Sequence, residues 1–350
     1  MTNRFFIRLT LEEDERQVLS PYACLSSQSK GRERTEQPCP LRTCFQHDRD
    51  RILHCKSFRR LKHKTQVFLS PEGDHYRTRL THTLEVSQIA RTISRSLRLN
   101  EDLTEAISLG HDLGHTPFGH AGERVLDQLL PQGFHHCRQS LRVVDVLEKD
   151  GRGLNLTHEV RDGILRHSKG RGPVRMLPGS RGSLEGQAVR LADIIAYVNH
   201  DLDDALRAGV VSRDQVPQDL LEVLGQSHSQ RINCLIHDCL FASEISATGE
   251  IRLSDPLLAA ITDLRDWLFQ HVYQVASVHD DFAKAERLIS ELFAYFMSRP
   301  EIMPHYGAAP LSDESLETQV ADFIAGMSDR YALRLYEELF LPRPWRSLVL

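Results

Sequence analysis

Apolar residues recur at helical spacing through most of the chain from about Asp48 onward, and this periodicity restricts the possible folds more than any other feature of the sequence. Apolar residues three and four positions apart lie on one face of an α-helix, and that face can pack against a core. One long stripe of this kind comprises Leu80, Leu84, Val86, Ile89, Ile93 and Leu97. The later segments DPLLAAITDLRDWLFQHVY and AERLISELFAYFM are also amphipathic. Since the sequence contains neither a convincing strand pattern nor an internal repeat, it predicts a nearly all-α fold.

The distribution of glycine, proline and charge divides the chain into parts. Residues 20–45 are rich in Ser, Gly, Pro and charge, which is typical of an exposed and mobile arm. SPEGD at 70–74 predicts a turn, and the Gly/Pro-rich segment 167–186 predicts a functional or disordered loop. Further helices are predicted near residues 119–131, 138–149, 156–167 and 185–208. We therefore predict an N-terminal arm (1–47), a helical core (48–208, with its central domain at about 77–205) and an added C-terminal helical region (209–350).

The composition excludes several classes of protein. Apolar residues make up 41% of the 350 residues and the net charge is only −5, which argues against a disordered chain and a generally basic nucleic-acid binder. The seven cysteines are odd in number and form no CxxC pair, so we expect a reduced, cytoplasmic protein. We find no signal peptide and no apolar run long enough to span a membrane.

One region departs from this charge balance. Between Lys30 and Arg98 there are sixteen Lys and Arg residues against seven Asp and Glu residues. A local excess of positive charge suits a ligand that is rich in phosphate. A solvated basic face would give the same pattern, so both interpretations stay open here.

The segment SLGHDLGHTPFGHAGE, residues 108–123, carries the most specific chemical pattern. The dipeptide His-Asp alone is not informative, because it occurs five times in the chain. Here, however, an apolar helix runs into a segment with four glycines, and three histidines fall within ten positions. Glycine lets the backbone turn tightly and approach a ligand closely. An imidazole and a carboxylate together suit a divalent ion such as Mn, Fe or Mg, so His111 and Asp112 are candidate ligands.

Two further residues could complete such a metal site. His82 lies in an amphipathic helix upstream, and Asp193 lies in the apolar segment AVRLADIIAYVNHDLDDA downstream. A buried aspartate is costly without a partner, and a metal ion would supply one. Taken singly, His82 could be a hydrogen-bonded core histidine and Asp193 a helix cap or ion-pair partner. Their joint order, H…HD…D over three helices, favours the metal site.

These motifs resemble those of the HD superfamily of metal-dependent phosphohydrolases, in which H…HD…D is the metal-binding pattern. FQHDRDRILHCKSFRRLKHKTQVF, RTRLTHTLEV and GHDLGHTPFGHAGE, in this order, resemble its deoxyguanosinetriphosphate triphosphohydrolase branch over about residues 20–205. The resemblance implies an all-α HD-domain fold with an added C-terminal helical region. It also implies hydrolysis of dGTP or another dNTP to a deoxynucleoside and inorganic triphosphate, with one divalent metal ion (Mn, Mg or Fe) as cofactor.

The same resemblance implies roles for individual residues in the reaction. The metal ligands would be His82, His111, Asp112 and Asp193. His120 and Glu123 match the catalytic His–Glu pair of the family, and their separation of three positions places them on one helical face. His115 matches a histidine that lies close to the α-phosphate.

The resemblance also implies how the substrate is bound. Arg79 matches an arginine on the α-phosphate, and His136 matches another active-site histidine. Tyr197 would pack on the deoxyribose, where it hinders a 2′-hydroxyl, while Asp201 and Gln66 would bind the 3′-hydroxyl. Steps of four residues lead from the last metal ligand to Tyr197 and on to Asp201, so all three lie along one face of a helix.

The chain departs from the family at several motif positions. His47 replaces the arginine of FQRDRDRI, and HSxAFRRL reads HCKSFRRL. In GFEHN, His135 replaces the glutamate and Cys137 replaces the asparagine. None of these changes removes a proposed metal ligand, so they bear on base preference and allosteric sites more than on hydrolysis.

Two other functions stay open as alternatives. Another HD phosphohydrolase, such as a nucleotidase or a cyclic-nucleotide phosphodiesterase, would carry the same metal ligands, and only flanking motifs such as KTQVF argue against it. A nucleic-acid-binding module with a vestigial site would use the basic stretch, but retention of all four ligands argues against it. We further expect a homo-oligomer without membrane association, with an allosteric nucleotide and single-stranded nucleic acid as candidate partners besides the dNTP.

Overall fold

A computed structural model describes residues 7–66, 77–168, 174, 182–307 and 314–342. Within these residues the backbone is almost entirely helical, and its extended pairing is limited to isolated bridges. The helices are α1 (Ile7–Val18), α2 (Cys44–Leu53), α3 (Lys56–Arg60), α4 (Arg79–Ser96), α5 (Glu101–Gly110), α6 (His120–Leu129), α7 (His136–Arg142), α8 (Glu148–Gly151), α9 (His158–Arg166), α10 (Leu184–Arg207), α11 (Gln218–Leu224), α12 (His228–Ala242), α13 (Ile245–Thr248), α14 (Asp255–Leu268), α15 (Ala276–Ser298), α16 (Leu316–Ala325) and α17 (Asp329–Phe340). The prediction of an all-α fold is confirmed.

Local sequence sets the ends of the helices that lead into the site. The hydroxyl of Thr78 accepts the backbone N–H of Thr81 and caps α4. The side chain of Asn100 accepts the N–H of Leu103 at 3.1 Å and caps α5. Helix α6 begins after Gly119, whose φ of 57° lies in the left-handed region that glycine tolerates. The loop between α5 and α6 is therefore bounded by well-defined helix ends.

One large apolar cluster holds α4, α5 and α10 together, with α2 and α9 beside them. Ile89 of α4, Ile107 of α5 and Ile195 of α10 are all at most 1% exposed within it. Leu84 was predicted to belong to the apolar stripe of α4, but it is 49% exposed. At about 100° per residue, Leu84 lies on the opposite side of the helix from Ile89, so the prediction was wrong at that position.

A second apolar cluster joins α6 to the C-terminal helices α15, α16 and α17. Leu126 of α6 packs in the same cluster as Ile289, Phe296 and Ile324. The buried residues of α11, α12 and α14 instead share the first cluster. The predicted division of the chain at residues 47 and 208 stays a prediction.

The N-terminal segment predicted as an exposed, mobile arm is exposed in part, but it is anchored to the helical core. The N–H of Cys24 donates to Glu185 on α10 at 2.9 Å. The hydroxyl of Ser29 donates to Glu159 on α9 at 2.7 Å. The guanidinium of Arg32 donates to the buried carboxylate of Asp48 on α2. The three accepting carboxylates lie at separate points of the helical core. Because the polar residues of the segment bond to them, its polar composition does not mean that it is detached from the core.

Other sequence predictions concern residues that the structure does not describe. The turn at 70–74 and most of the loop at 167–186 lie outside the described residues. Among the helices that are described, none combines the length and the apolar character needed to cross a bilayer. All seven cysteines are free thiols.

We predict that Gly114→Ala lowers the free energy of unfolding by about 2 kcal/mol or more. A Cβ at Gly114 would lie 2.1 Å from the backbone nitrogen of Ser140 and 2.7 Å from the carbonyl oxygen of His136, so α7 would have to move. Gly186→Ala is the control, since its Cβ would meet nothing closer than 3.4 Å and alanine favours a helix by up to about 1 kcal/mol. Equal urea midpoints for the two variants would contradict this packing argument.

Candidate metal centre and active site

Three helices bring the four predicted metal ligands into one cluster. His82 lies on α4, His111 and Asp112 follow α5 directly, and Asp193 lies on α10. Nε2 of His82 is 3.1 Å and Nε2 of His111 is 3.9 Å from Oδ1 of Asp193. Nε2 of His111 is also 3.3 Å from Oδ1 of Asp112. His82, His111 and Asp193 thus offer ligand atoms within 4.8 Å of one another, and Asp112 adjoins them through His111, with which it forms a second such group.

The bonding of His111 fits a metal ligand. Its Nδ1 lies 2.6 Å from the carbonyl oxygen of Ser108, and a carbonyl can only accept, so this nitrogen carries the proton. Nε2 then holds a lone pair, and this atom is buried without a hydrogen-bond partner. A buried lone pair among carboxylates and imidazoles is what a bound divalent ion would use. The cluster could therefore hold a metal ion.

The charges of the cluster also suit metal binding. Burial alone would raise the pKa of Asp112, but His111, His115 and Arg79 outweigh it and hold that pKa well below its usual value. Burial likewise raises the pKa of Asp193, and its hydrogen bond with His82 lowers it to about 2. Burial lowers the pKa of His111. The carboxylates are therefore ionised and His111 is neutral, which are the forms that bind metal.

A chain of histidines runs from this cluster towards solvent. Nε2 of His115 lies 3.2 Å from Asp112, and its ring stacks on that of His136 at 4.1 Å. The carboxylate of Glu123 lies between His136, 2.8 Å away, and His120, 2.9 Å away. The side chain of His120 is 74% exposed, so it ends the chain at the surface of the site. The structure thus brings the predicted His–Glu pair together and joins it to the metal cluster.

Hydrogen bonds fix the charge of Glu123. Burial raises its pKa, but the bonds with His120 and His136 outweigh it and lower the pKa far below the usual value. Burial lowers the pKa of His136, and its contacts with Cys137 and Glu123 raise it to about 10. Glu123 is therefore an ionised carboxylate that orients two imidazoles.

The predicted sugar-binding residues offer unpaired polar atoms. Oδ2 of Asp201 accepts a hydrogen bond from the hydroxyl of Tyr273, while its Oδ1 is buried without a partner. Among the described residues, Oε1 of Gln66 is also buried without a partner. Burial raises the pKa of Asp201 to about 7. An unpaired buried acceptor costs about 1–3 kcal/mol, so both oxygen atoms are candidates to contact a ligand. Tyr197 lies on α10 between Asp201 and the metal cluster.

Several residues of the site were not predicted from the sequence. The buried ring of His167 has Nε2 3.9 Å from Asp112, and its Nδ1 donates to the carbonyl of Ile164 at 2.7 Å. The amino group of Lys64 donates to the carbonyls of His115 and Ala325. His167 directly follows α9, which was predicted near residues 156–167. Its place at the end of that helix is the one feature of the sequence that could have marked it as a site residue. Lys64 is the first residue of the motif KTQVF, but that motif gave a role only to Gln66.

The C-terminal helices are bonded directly to the loops that carry the site. Oδ2 of Asp329, in the first turn of α17, accepts the N–H of Thr65 at 2.8 Å. Its Oδ1 accepts the N–H of Phe118 at 2.9 Å, and the carboxylate is only 2% exposed. These bonds hold the residues that directly precede Gln66 and Gly119. One carboxylate thus ties two parts of the site to the C-terminal region.

Comparison with known proteins gives two family matches. The model of the family described as "HD domain" matches residues 79–198, and that described as "Phosphohydrolase-associated domain" matches residues 251–338. A deoxyguanosinetriphosphate triphosphohydrolase-like protein of Desulfatibacillum aliphaticivorans is 54% identical over 349 residues, covering 97% of this chain and 99% of that protein. One from Caldanaerobacter subterraneus subsp. tengcongensis is 54% identical over 97% of each chain. One from Clostridium perfringens is 48% identical over 96% of this chain and 98% of its own.

We predict that Asp329→Ala lowers the free energy of unfolding by about 2–5 kcal/mol, because it leaves two buried N–H donors unpaired at about 1–3 kcal/mol each. Hydrogen exchange at the amides of Thr65 and Phe118 should accelerate more than exchange in α5. Asp263→Ala, an exposed change on α14, is the matched control and should leave both amides unchanged. Unaltered protection of Thr65 and Phe118 in Asp329→Ala would contradict the assigned role.

Proposed function

The chain belongs to the deoxyguanosinetriphosphate triphosphohydrolase-like family of HD-domain phosphohydrolases, and on this basis we propose that it hydrolyses deoxynucleoside triphosphates. The products are a deoxynucleoside and inorganic triphosphate, formed when water attacks the α-phosphorus and O5′ leaves. The observation that carries the proposal is the connection of the buried His/Asp groups to the His120–Glu123 pair at the mouth of the site, through His115 and His136.

The cluster supplies the conditions that attack on a phosphoryl group requires. A divalent ion held by His82, His111, Asp112 and Asp193 would lower the pKa of water and neutralise charge on the phosphoryl group. Mn, Mg and Fe all suit these ligands. Arg79 donates to Asp112 at 2.9 Å, and its Nε is buried without a partner. Its guanidinium therefore keeps a donor for an α-phosphate oxygen.

The pair of His120 and Glu123 supplies the proton that the leaving O5′ needs. Nδ1 of His120 lies against the ionised carboxylate of Glu123, which leaves Nε2 as the nitrogen that donates the proton. The carboxylate fixes the direction of the ring. Because His120 is exposed at the mouth of the site, it can be reprotonated from water after each turnover.

The unpaired oxygens of Asp201 and Gln66 determine which sugar the site accepts. With the α-phosphate at the metal cluster, the deoxyribose extends along α10 past Tyr197 towards Asp201. Oδ1 of Asp201 then accepts the proton of the 3′-hydroxyl, and the amide of Gln66 bonds to the oxygen of the same hydroxyl when its NH₂ group is turned towards it. The ring of Tyr197 faces C2′ and leaves little room for a 2′-hydroxyl. The sugar contacts therefore select deoxyribonucleotides.

The ion pairs of the basic stretch between Lys30 and Arg98 favour hydrolysis over a nucleic-acid-binding function. Several of its arginines are committed to carboxylates, which lowers the positive charge that remains for a phosphate backbone: Arg32 with Asp48, Arg49 with Asp102, Arg77 with Asp204 and Arg79 with Asp112. Binding of a single-stranded nucleic acid, binding of an allosteric nucleotide and assembly into a homo-oligomer remain secondary proposals.

The function is tested by incubating the purified protein with each dNTP and NTP plus Mn²⁺ or Mg²⁺ and by analysing the products. We expect triphosphate, and a chelator should abolish its formation. His120→Ala should keep the metal but lose at least about two orders of magnitude in kcat, while the exposed control His158→Ala should behave as wild type. Release of phosphate or pyrophosphate instead would assign the chain to another HD phosphohydrolase activity, and an unchanged kcat would exclude His120 as the proton donor.

Sugar selection is tested by kcat/KM for dGTP, GTP and 2′,3′-dideoxy-GTP. Without a 3′-hydroxyl, buried acceptors stay unpaired at about 1–3 kcal/mol, so the dideoxynucleotide should react roughly 5- to 100-fold more slowly than dGTP. GTP should also be worse than dGTP, and Tyr197→Ala should narrow that difference. Tyr22→Ala, on the exposed N-terminal segment, is the control. Equal hydrolysis of GTP and dGTP by the wild type would refute the sugar contacts.

A further inference from the structure

A second group of metal-binding side chains lies at the start of α7, next to the metal cluster but separate from it. His135, His136 and Cys137 each offer one ligand atom, and these atoms lie within 4.8 Å of one another. The group falls on the motif GFHHC, where this chain has His135 and Cys137 in place of the family's glutamate and asparagine. The reaction proposed above uses neither of these two residues.

The geometry of the group suits a tetrahedral ion with sulfur and nitrogen ligands. Zinc–sulfur bonds of about 2.3 Å and zinc–nitrogen bonds of about 2.0 Å, at a tetrahedral angle, separate the two donor atoms by about 3.5 Å. Sγ of Cys137 lies 3.5 Å from Nε2 of His136. The ring of His135 stacks on that of His136 with centroids 4.6 Å apart, and its partial exposure leaves a path to solvent.

The surroundings of Cys137 favour a thiolate, which is the form that binds metal. Imidazole nitrogens approach its sulfur from two sides, since Sγ lies 3.5 Å from Nε2 of His136 and 3.7 Å from Nδ1 of His167. The buried Cys239 has no such neighbours, and burial raises its pKa to about 12.

The orientation of His136 leaves a nitrogen for the ion. Its Nδ1 lies 2.8 Å from Glu123, so Nε2 faces Cys137. An imidazole that binds metal through one nitrogen and donates its other N–H to a carboxylate is the usual arrangement around zinc. Glu123 is thus already in the position of the supporting carboxylate.

We propose that His135, His136 and Cys137 form a second metal site that takes a thiophilic divalent ion of the zinc class, with water as the fourth ligand. An ion at this site occupies Nε2 of His136 and fixes the bond between its Nδ1 and Glu123, which also orients His120. Occupancy therefore inhibits hydrolysis, and this consequence rests on the proposed function. Hard ions such as Mg²⁺ do not favour thiolate and occupy the His/Asp cluster alone.

The site itself is tested by spectroscopy, independently of activity. The full chain is saturated with Mg²⁺ and then titrated with Co²⁺, which gives a near-ultraviolet thiolate-to-metal charge-transfer band only when it binds sulfur. We expect the band in the wild type and in Cys39→Ser, and its loss in Cys137→Ser. Zinc affinity, measured by competition with a chromophoric chelator, should fall by at least about 100-fold in Cys137→Ser, since each ligand supplies roughly a quarter of the binding free energy of a four-ligand zinc site.

The inhibitory effect is tested with the double variant His135→Glu/Cys137→Asn, which restores the residues of the family motif. This variant should keep its turnover, and the zinc concentration for half-inhibition in excess Mg²⁺ should rise at least tenfold. A wild type without the cobalt band, or a band that persists in both Cys137→Ser and the double variant, would refute the site. An equal zinc response of the double variant would refute the inhibition. A band without dNTP turnover in the wild type would support the site and count against the proposed function.

Discussion

The buried carboxylate of Asp112 is the group on which the rest of the site depends. An ionised carboxylate in a protein interior costs several kcal/mol unless charged partners and hydrogen bonds compensate. Arg79 lies 2.9 Å away, and His111 and His115 lie 3.3 and 3.2 Å away, so the compensation comes from two separate parts of the chain. The helices that supply these partners must converge at one point. Their convergence also places Asp193 beside the Nε2 atoms of His82 and His111.

Close backbone packing carries this arrangement outward to the second half of the site. Gly114 lets α7 approach the loop after α5 until the hydroxyl of Ser140 donates to the carbonyl of His111 at 2.6 Å. That approach places His136 against His115 and Glu123. The His/Asp cluster and the His120–Glu123 pair are therefore held together by the packing of α7 against the loop after α5.

The helices were predictable because helical periodicity depends on neighbours within one or two turns, and the predicted stripe from Leu80 to Leu97 falls on α4. The four metal ligands stay a prediction, which rested on their joint order over three helices. The family resemblance was confirmed as well. Leu84 shows the limit of such spacing, since it lies four residues after Leu80 and yet on the solvent side of α4.

The sequence by itself determined that the chain is helical and which residue types could bind a metal, because short-range spacing sets both properties. Only the tertiary structure decided that Asp329 bonds to Thr65 across 264 positions, that Tyr273 bonds to Asp201 across 72, and that His167 lies beside Asp112. Such contacts depend on how helices pack against one another. Packing is the sum of many weak apolar contacts over the whole core, and no local pattern encodes which distant polar atoms it brings together.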